Sequence, residues 1–201
     1  MRTEYSGELT EETVAEDWLV QFATWFADAV EAGLPEPNAM LLATASGDGR
    51  PSARTVLLKG YDQRGFTFFT NYGSRKGHDL SANPRATLVF PWYHLHRQVI
   101  VSGVVQKVSR EETEEYFAVR PRGAQLGAWA SPQSTVIGAR ADLEGWLEAA
   151  ERRFGDGPVD APPHWGGFRV APDEVEFWQG RESRLHDRLR FTGGKIERLA
   201  P

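Results

Sequence analysis

From Ala39 to Leu199 the apolar runs of this chain are short and repeatedly closed by Gly, Pro, Asn or Asp. Runs rich in β-formers fall at Ala39 to Ala45, Ser52 to Lys59, Phe66 to Thr70, Arg85 to Phe90 and Gln98 to Val108. After a helical middle come Phe168 to Val170, Val175 to Trp178, Leu185 to Phe191 and Lys195 to Leu199. Turn chemistry separates them. Ser46-Gly-Asp-Gly-Arg50 and Gly193-Gly194 suit hairpins, and Gly60-Tyr-Asp-Gln-Arg-Gly65 predicts that its flanking runs, Arg54 to Lys59 and Phe66 to Thr70, pair antiparallel. Strands and helices do not alternate as βαβ units, which argues against a doubly wound parallel sheet. The expectation is a mainly β fold with α, an antiparallel β-barrel with helices packed outside.

Helical spacing is confined to a few stretches. Val14, Trp18, Phe22, Trp25, Phe26, Ala29 and Val30 recur at helical intervals, so a helix is expected over Thr13 to Ala32, opened by the capping-box spacing Thr13-Val-Ala-Glu16 and ended by Gly33 and Pro35. Ser74 is a candidate N-cap for a short helix that stops before Asn83-Pro84, and Ser109-Arg-Glu-Glu112 opens another through about Val119. Residues Gly123 to Ser134 read as a loop. A further helix near Ile137 to Phe154 is expected to turn Leu143, Trp146, Leu147, Ala150 and Phe154 inward. The Gly- and Pro-rich stretch 155–163 is a connector, because the residues C-terminal to it are too few to fold alone, and the 201 residues are expected to form one domain.

Composition excludes several classes of function. A net charge of −5 is wrong for a general nucleic-acid binder, though local basic clusters could hold a small anion. Zero Cys removes disulfides, thiolate catalysis and Cys-ligated metals. The polar, acidic residues 1–12 lack the apolar centre of a signal peptide, and no later run is long enough to span a bilayer, so a cytoplasmic protein without membrane contact is expected. His94 and His96 would share a strand face as a metal pair, but no third ligand type lies close in sequence, and no metal is expected. Seven Trp and eleven Phe point to a flat aromatic ligand or a subunit contact.

The chemistry centres on Arg54 and Lys59, which cap one apolar strand, and on Arg75 and Lys76, which sit just after Ser74 at the start of the short helix. Free N–H groups at a helix N-terminus, a hydroxyl and converging cations suit a phosphate ester. Spacing alone favours the plainer alternative, basic fringes on a solvated hairpin. Tyr116 and Arg120, four apart on one helix face, could close on the same anion or be a surface pair.

An ordered set of motifs carries the reading further. Arg54-x-Val-Leu-Leu-Lys59, Thr70-Asn71, Ser74-Arg-Lys76, Arg97-Gln98-Val99, Tyr116-Phe117, Arg120-Pro-Arg122, Gly127-Ala-Trp129, Gln133-Ser134, Trp165-Gly-Gly167, Glu176-Phe-Trp-Gln-Gly180, Arg184-Leu-His-Asp-Arg188 and Arg198-Leu-Ala-Pro201 together resemble the pyridoxine/pyridoxamine 5′-phosphate oxidase family over nearly the whole chain. The resemblance implies an FMN-binding split barrel. It also implies a homodimer with two active sites at the subunit interface, residues 1–12 forming an arm and 165–201 a dimerisation and active-site segment. The implied reaction is oxidation of pyridoxine or pyridoxamine 5′-phosphate to pyridoxal 5′-phosphate by oxygen, with hydrogen peroxide released. Carried onto this chain, the FMN contacts are Arg54, Thr55, Val56, Leu57, Leu58, Lys59, Phe69, Thr70, Arg75, Lys76, Gln98, Gln133, Ser134, Trp178 and Arg188. Substrate contacts are Lys59, Tyr116, Arg120, Arg184, Leu185 and His186, with Arg184 and His186 as the catalytic pair and Arg2 and Tyr5 as a weaker N-terminal match.

These residue types suit two phosphate monoesters, since Arg offers a planar fork and Lys a compact charge. A phosphate handle orients the reacting C4′ against the flavin, and the expected step is hydride transfer from C4′ to flavin N5, with the protein supplying position. On a strand, Arg184 and His186 would alternate across Leu185 and project from one face; His186 could then carry a proton or merely orient the substrate. Two departures stand out. Ala124 occupies a position where relatives usually have Ser, which removes one hydrogen bond worth about 0.5–1.5 kcal/mol, and Phe69 replaces a common Tyr. The alternatives are a related FMN oxidase of another substrate, such as a phenazine precursor, and a non-enzymatic flavin- or pyridoxal-phosphate-binding protein.

Overall fold

The computed structural model describes Tyr5 and residues 7–201; Arg2 lies outside the described residues. Among the described residues, nine antiparallel strands form one sheet in the order β2-β1-β5-β6-β7-β4-β3, with β8 on β7 and β9 on β8. Their ranges are β1 Ala39–Ala45, β2 Pro51–Leu57, β3 Gly60–Asp62, β4 Gly65–Asn71, β5 Arg85–Trp92, β6 Arg97–Lys107, β7 Trp165–Gln179, β8 Asp187–Thr192 and β9 Lys195–Arg198. The helices are α1 Trp18–Glu31, α2 Arg75–Ala82, α3 Arg110–Ala118, α4 Arg122–Ala130 and α5 Arg140–Phe154. The mainly β fold with α and the antiparallel sheet are as the turn-bounded runs predict.

Strand β7 organises the sheet. One of its edges pairs with β6 along its length, while the other pairs first with β4 (Asn71↔Trp165 to Phe66↔Val170) and then with β8 (Glu174↔Thr192 to Gln179↔Asp187). The sheet therefore splits at the middle of β7. The sequence separates Phe168–Val170 from Val175–Trp178 at Pro172, yet they are one strand. Pro172 sits where the β6 register shifts between Ser102 and Gly103, so its missing N–H falls at a bulge, and a Cβ on Gly103 would collide with the Ala171 carbonyl.

Aromatic packing fixes α1 to the sheet. Phe22, wholly buried, meets Phe26, Tyr61, Phe66, Phe90 and Trp92 at ring-centroid distances of 4.8–5.9 Å. Truncating such a ring to Ala costs about 3–5 kcal/mol. The helix begins later than its periodicity predicts, because the Asp17 carboxylate accepts from Leu19 N–H at 2.7 Å and serves as the cap. Thr13 Oγ1 instead accepts from the Thr10 amide.

Several other expectations are corrected. Runs 54–59 and 66–70 do not form one hairpin: β2 pairs with β1, and Gly60–Asp62 is itself a strand, paired with β4 across the turn Gln63-Arg64. One bond, Lys59 N–H to Thr67 O at 2.9 Å, links the two runs. The Gly123–Ser134 loop is mostly α4, whose Gln125 and Leu126 are buried; its Gly and Ala content masks the period. Helix α5 starts at Arg140, and its Trp146 is 40% exposed rather than inward. Leu185 and His186 precede β8; Ser183 and Arg184 have φ of 54° and 61°, so the strand alternation expected of Arg184 and His186 does not exist. His94 lies in a 3-10 turn and His96 has φ 51°, so they share no strand face.

Candidate active site

A cavity of about 580 Å³ lies where β2, the β2–β3 link, β4, α2, the C-terminal end of α3, α4 and the segment after it meet. It gathers Arg54, Thr55, Val56, Leu57, Lys59, Phe69, Thr70, Lys76, Tyr116, Arg120 and Gln133, all singled out in the sequence. Among the described residues, its wall carries four cations and no carboxylate. An adjoining cavity of about 630 Å³ shares Asn71, Ser131 and Gln133, but Arg153 is the one Lys or Arg among the described residues on its wall, and that guanidinium stacks on Trp129 at 4.2 Å. The charge asymmetry makes the first cavity the better suited of the two to an anion.

Each cation is placed by local structure. Ser74 caps α2 by accepting from Gly77 N–H, and a Cβ on Gly77 would collide with the Tyr72 carbonyl, so the helix start is pressed against β4. That seats Lys76 in the first turn, 8% exposed, with Nζ donating to Thr70 Oγ1 (3.1 Å), Gln133 Oε1 (3.0 Å) and Ser74 Oγ (3.3 Å). No ion pair to Lys76 is found among the described residues. Burial, and then the Arg54 guanidinium, push its pKa below the usual lysine value, and a helix N-terminus adds no compensation for a cation. Arg54 donates to Leu42 O (3.3 Å) and Thr44 Oγ1 (2.7 Å), bonds Ser52, and lies 3.7 Å from Asp79, itself held by Thr44 at 2.7 Å. Burial lowers its pKa despite Asp79.

Arg120 follows α3. Its guanidinium stacks over Trp165 at 4.5 Å, while its Nη1 is buried without a hydrogen-bond partner, and burial lowers its pKa. An orphaned buried donor of this kind is costly unless an anion completes it. Tyr116 stacks on Phe69 at 4.1 Å, Phe69 on Trp165 at 5.5 Å, and Lys59 Nζ lies 5.9 Å from the Tyr116 ring. These contacts group Tyr116, Lys59 and Arg120 around the Phe69 and Trp165 rings, whereas Lys76 is held by Thr70 and Gln133 and Arg54 by Thr44.

The remaining predicted residues are elsewhere. Leu58 is buried, Arg75 is exposed at the start of α2, and Ser134, with φ 72°, lies just beyond Gln133. Gln98, Trp178, Arg184, Leu185, His186 and Arg188 cluster at the far end of β7. Trp165 and Trp178 stand about 40 Å apart in contour at roughly 3.3 Å per residue. Trp178 and His186 pack at 4.7 Å; His186 Nδ1 accepts from Arg181 N–H at 3.1 Å, so the neutral ring carries its proton on Nε2. Arg188 is bound through two bonds to Glu176, at 2.8 and 3.0 Å, which raises its pKa. Leu185 is 70% exposed.

Sequence reasoning missed Thr44 and Asp79, which anchor Arg54 from β1 and α2, and the wall supplied by α4. It named Trp165 only within a motif, not as the platform for Arg120. Ala124 lines the cavity without a hydroxyl.

The family model described as pyridoxamine 5′-phosphate oxidase matches residues 26–153, and that of the pyridoxine 5′-phosphate oxidase C-terminal dimerisation region matches 165–201. A pyridoxine/pyridoxamine 5′-phosphate oxidase of Salinispora arenicola is 61% identical, covering 100% of this chain and 95% of its own length. One of Burkholderia cenocepacia is 55% identical, with 100% and 97% covered. Among solved structures, PhzG of Burkholderia lata in complex with tetrahydrophenazine-1-carboxylic acid superposes with a TM-score of 0.92 at 29% identity, over 99% of this chain and 100% of that one. A pyridoxamine 5′-phosphate oxidase-related, FMN-binding protein of Nostoc punctiforme gives 0.70 at 18%, over 90% and 97%, and shares the fold.

Proposed function

On the premise that the chain belongs to the pyridoxamine 5′-phosphate oxidase family of FMN-dependent oxidoreductases, we propose that it oxidises pyridoxine 5′-phosphate or pyridoxamine 5′-phosphate to pyridoxal 5′-phosphate, passing electrons to oxygen and releasing hydrogen peroxide. The observation that carries this reading is a cavity wall with no carboxylate among the described residues and four cations, Arg54, Lys59, Lys76 and Arg120, the last with an orphaned buried donor. Arg54 and Lys76, with Thr70 and Gln133, would hold the phosphate of FMN; Thr55, Val56, Leu57, Lys59 and Phe69 border it, and Leu58, Arg75 and Ser134 are their chain neighbours. Lys59, Tyr116 and Arg120 hold the phosphate of the substrate. FMN supplies the two-electron acceptor that no side chain of this protein can.

Gln98, Trp178, Arg184, Leu185, His186 and Arg188 reach the same site only from a second copy, given the length of β7 between the two groups. The match to a dimerisation region over 165–201 supports a homodimer. In this arrangement Arg184 and His186 close over the substrate ring. With Nδ1 engaged by Arg181, His186 offers an Nε2–H donor, so it orients the C4′ substituent rather than taking a proton. The helix set of the described residues includes none long and apolar enough to cross a membrane, in keeping with a cytoplasmic enzyme.

A second reading, a phosphate-free tricyclic carboxylate as substrate, is favoured by the structural similarity to PhzG. The two part on one experiment: turnover of pyridoxine with and without its 5′-phosphate by the yellow holoenzyme, with peroxide measured. Strong preference for the phosphate ester supports the proposal; equal turnover, or turnover of neither, removes it.

A further inference from the structure

Strand β9 and the N-terminal arm meet at one side chain. Arg198 donates from Nε and Nη2 to the two carboxylate oxygens of Glu11, each at 2.8 Å, from Nη2 to Leu9 O at 3.1 Å, and from Nη1 to Asp187 Oδ1 at 2.7 Å. Asp187 Oδ2 in turn accepts from Leu9 N–H at 3.1 Å, and Arg181 lies 3.4 Å from it. Leu9 itself is 3% exposed. Asp187 immediately follows His186, so the residues that hold the arm also begin the strand that ends the substrate-side loop.

Further along the arm, the Tyr5 ring lies 4.2 Å from His96, 5.9 Å from His186 and 6.3 Å from Trp178. A Cβ on Gly7 would run into the Gln179 side chain, and one on Gly180 would be 2.6 Å from the Tyr5 ring. The arm thus crosses the end of β7 in close contact. The forked pair also holds the Glu11 carboxyl down to about 2, so it stays ionised across the working pH range.

We propose that Glu11 and Arg198 form a latch that seats the N-terminal arm against the 181–186 loop, with Tyr5 covering His186. Both are positioning residues that touch neither FMN nor substrate. The latch itself stands on these contacts; its kinetic consequence rests on the reading of Arg184 and His186 as substrate-side groups. A seated arm slows escape of bound substrate, so loosening it raises KM and leaves chemistry and FMN binding alone.

Glu11→Gln and Glu11→Arg test this in the full-length holoenzyme, with Glu197→Gln as the control. Glu197 also pairs with an arginine of the same sheet, Arg190 on β8, at 2.6 Å, but forms no ion pair or hydrogen bond with the described residues of the arm. Amide exchange at Leu9, measured without substrate, is expected to accelerate about tenfold in both Glu11 variants. KM is expected to rise roughly fivefold with kcat within about twofold, since bidentate charge-assisted contacts set this order of effect. The control should leave both readouts unchanged. Unaltered Leu9 exchange, or accelerated exchange with an unchanged KM, overturns the latch. A wild-type enzyme that turns over no B6 phosphate ends the functional reading instead, and Leu9 exchange then decides the latch alone.

Discussion

The two ends of β7 use arginine and lysine in opposite ways. At the Trp165 end, Lys59, Lys76 and Arg120 face a cavity without a carboxylate among the described residues, and Arg54 has only Asp79 at 3.7 Å. At the Trp178 end, Arg181, Arg188, Arg190 and Arg198 each meet an acidic partner: Asp187, Glu176, Glu197 and Glu11 respectively. The pKa directions follow this division. Burial lowers Lys76, Arg54 and Arg120, whereas Glu176, Glu197 and Glu11 raise Arg188, Arg190 and Arg198. The same residue types thus line the cavity largely without a countercharge and are paired along β8 and β9. What separates them is whether the fold supplies the countercharge or leaves it to a ligand.

The largest effect is expected at Lys76. Replacing Lys76→Met should weaken FMN binding roughly ten- to hundredfold, the range for one charge-assisted contact of about 1.5–3 kcal/mol, read by fluorescence titration of the apoprotein. The same change should stabilise the apoprotein, because it removes a buried cation with no paired carboxylate. A lysine whose folded pKa is depressed penalises folding fully below that pKa, and the penalty fades as pH rises from it toward the unfolded value of about 10.5. Apoprotein stability relative to Lys76→Met should therefore rise over that alkaline window; a flat difference would place Lys76 among the paired cations.

Arg120→Met should raise KM for the phosphorylated substrate about tenfold to thirtyfold while FMN affinity holds, because a partly exposed site is screened. Loss of both together would mean the cavity does not divide into two phosphate sites. At the other end, His186→Asn should lower kcat roughly tenfold and keep the shape of the pH–rate profile, the mark of an orienting donor. A lost limb would make it a proton carrier. The smallest effect is Ala124→Ser, which restores one hydroxyl to the cavity wall and should lower substrate KM by the equivalent of about 0.5–1.5 kcal/mol.

The sequence was legible where a local rule decides the structure. Ser74 and Ser109 cap their helices as predicted, and β1 spans Ala39–Ala45 as its composition requires. It was opaque where tertiary contacts decide. Nothing local announces that Pro172 lies within a strand, since the bulge beside it, at Asp173, is defined only by the pairing of Ser102 with Glu174 and Gly103 with Pro172 across β6 and β7. The left-handed φ of Arg184 was likewise hidden, since its alternation with His186 reads as the start of a strand. Of the candidate site, the cation types and the motif order were readable. The division into paired and unpaired groups was not, because Asp79, Glu176 and Glu11 are distant in sequence or on other elements from the arginines they meet.

The central claim is that one copy's cation cavity and another copy's Trp178 end make one site. Two variants test it most directly: one crippled in the cavity (Lys59→Met with Arg120→Met) and one crippled beyond β7 (Arg184→Ala with His186→Ala), each nearly inactive alone, then unfolded, mixed and refolded together. Random pairing makes half the dimers hybrid, each with one intact site of two, so about a quarter of wild-type activity should return. Hybrid dimers that form and stay inactive would contradict the account.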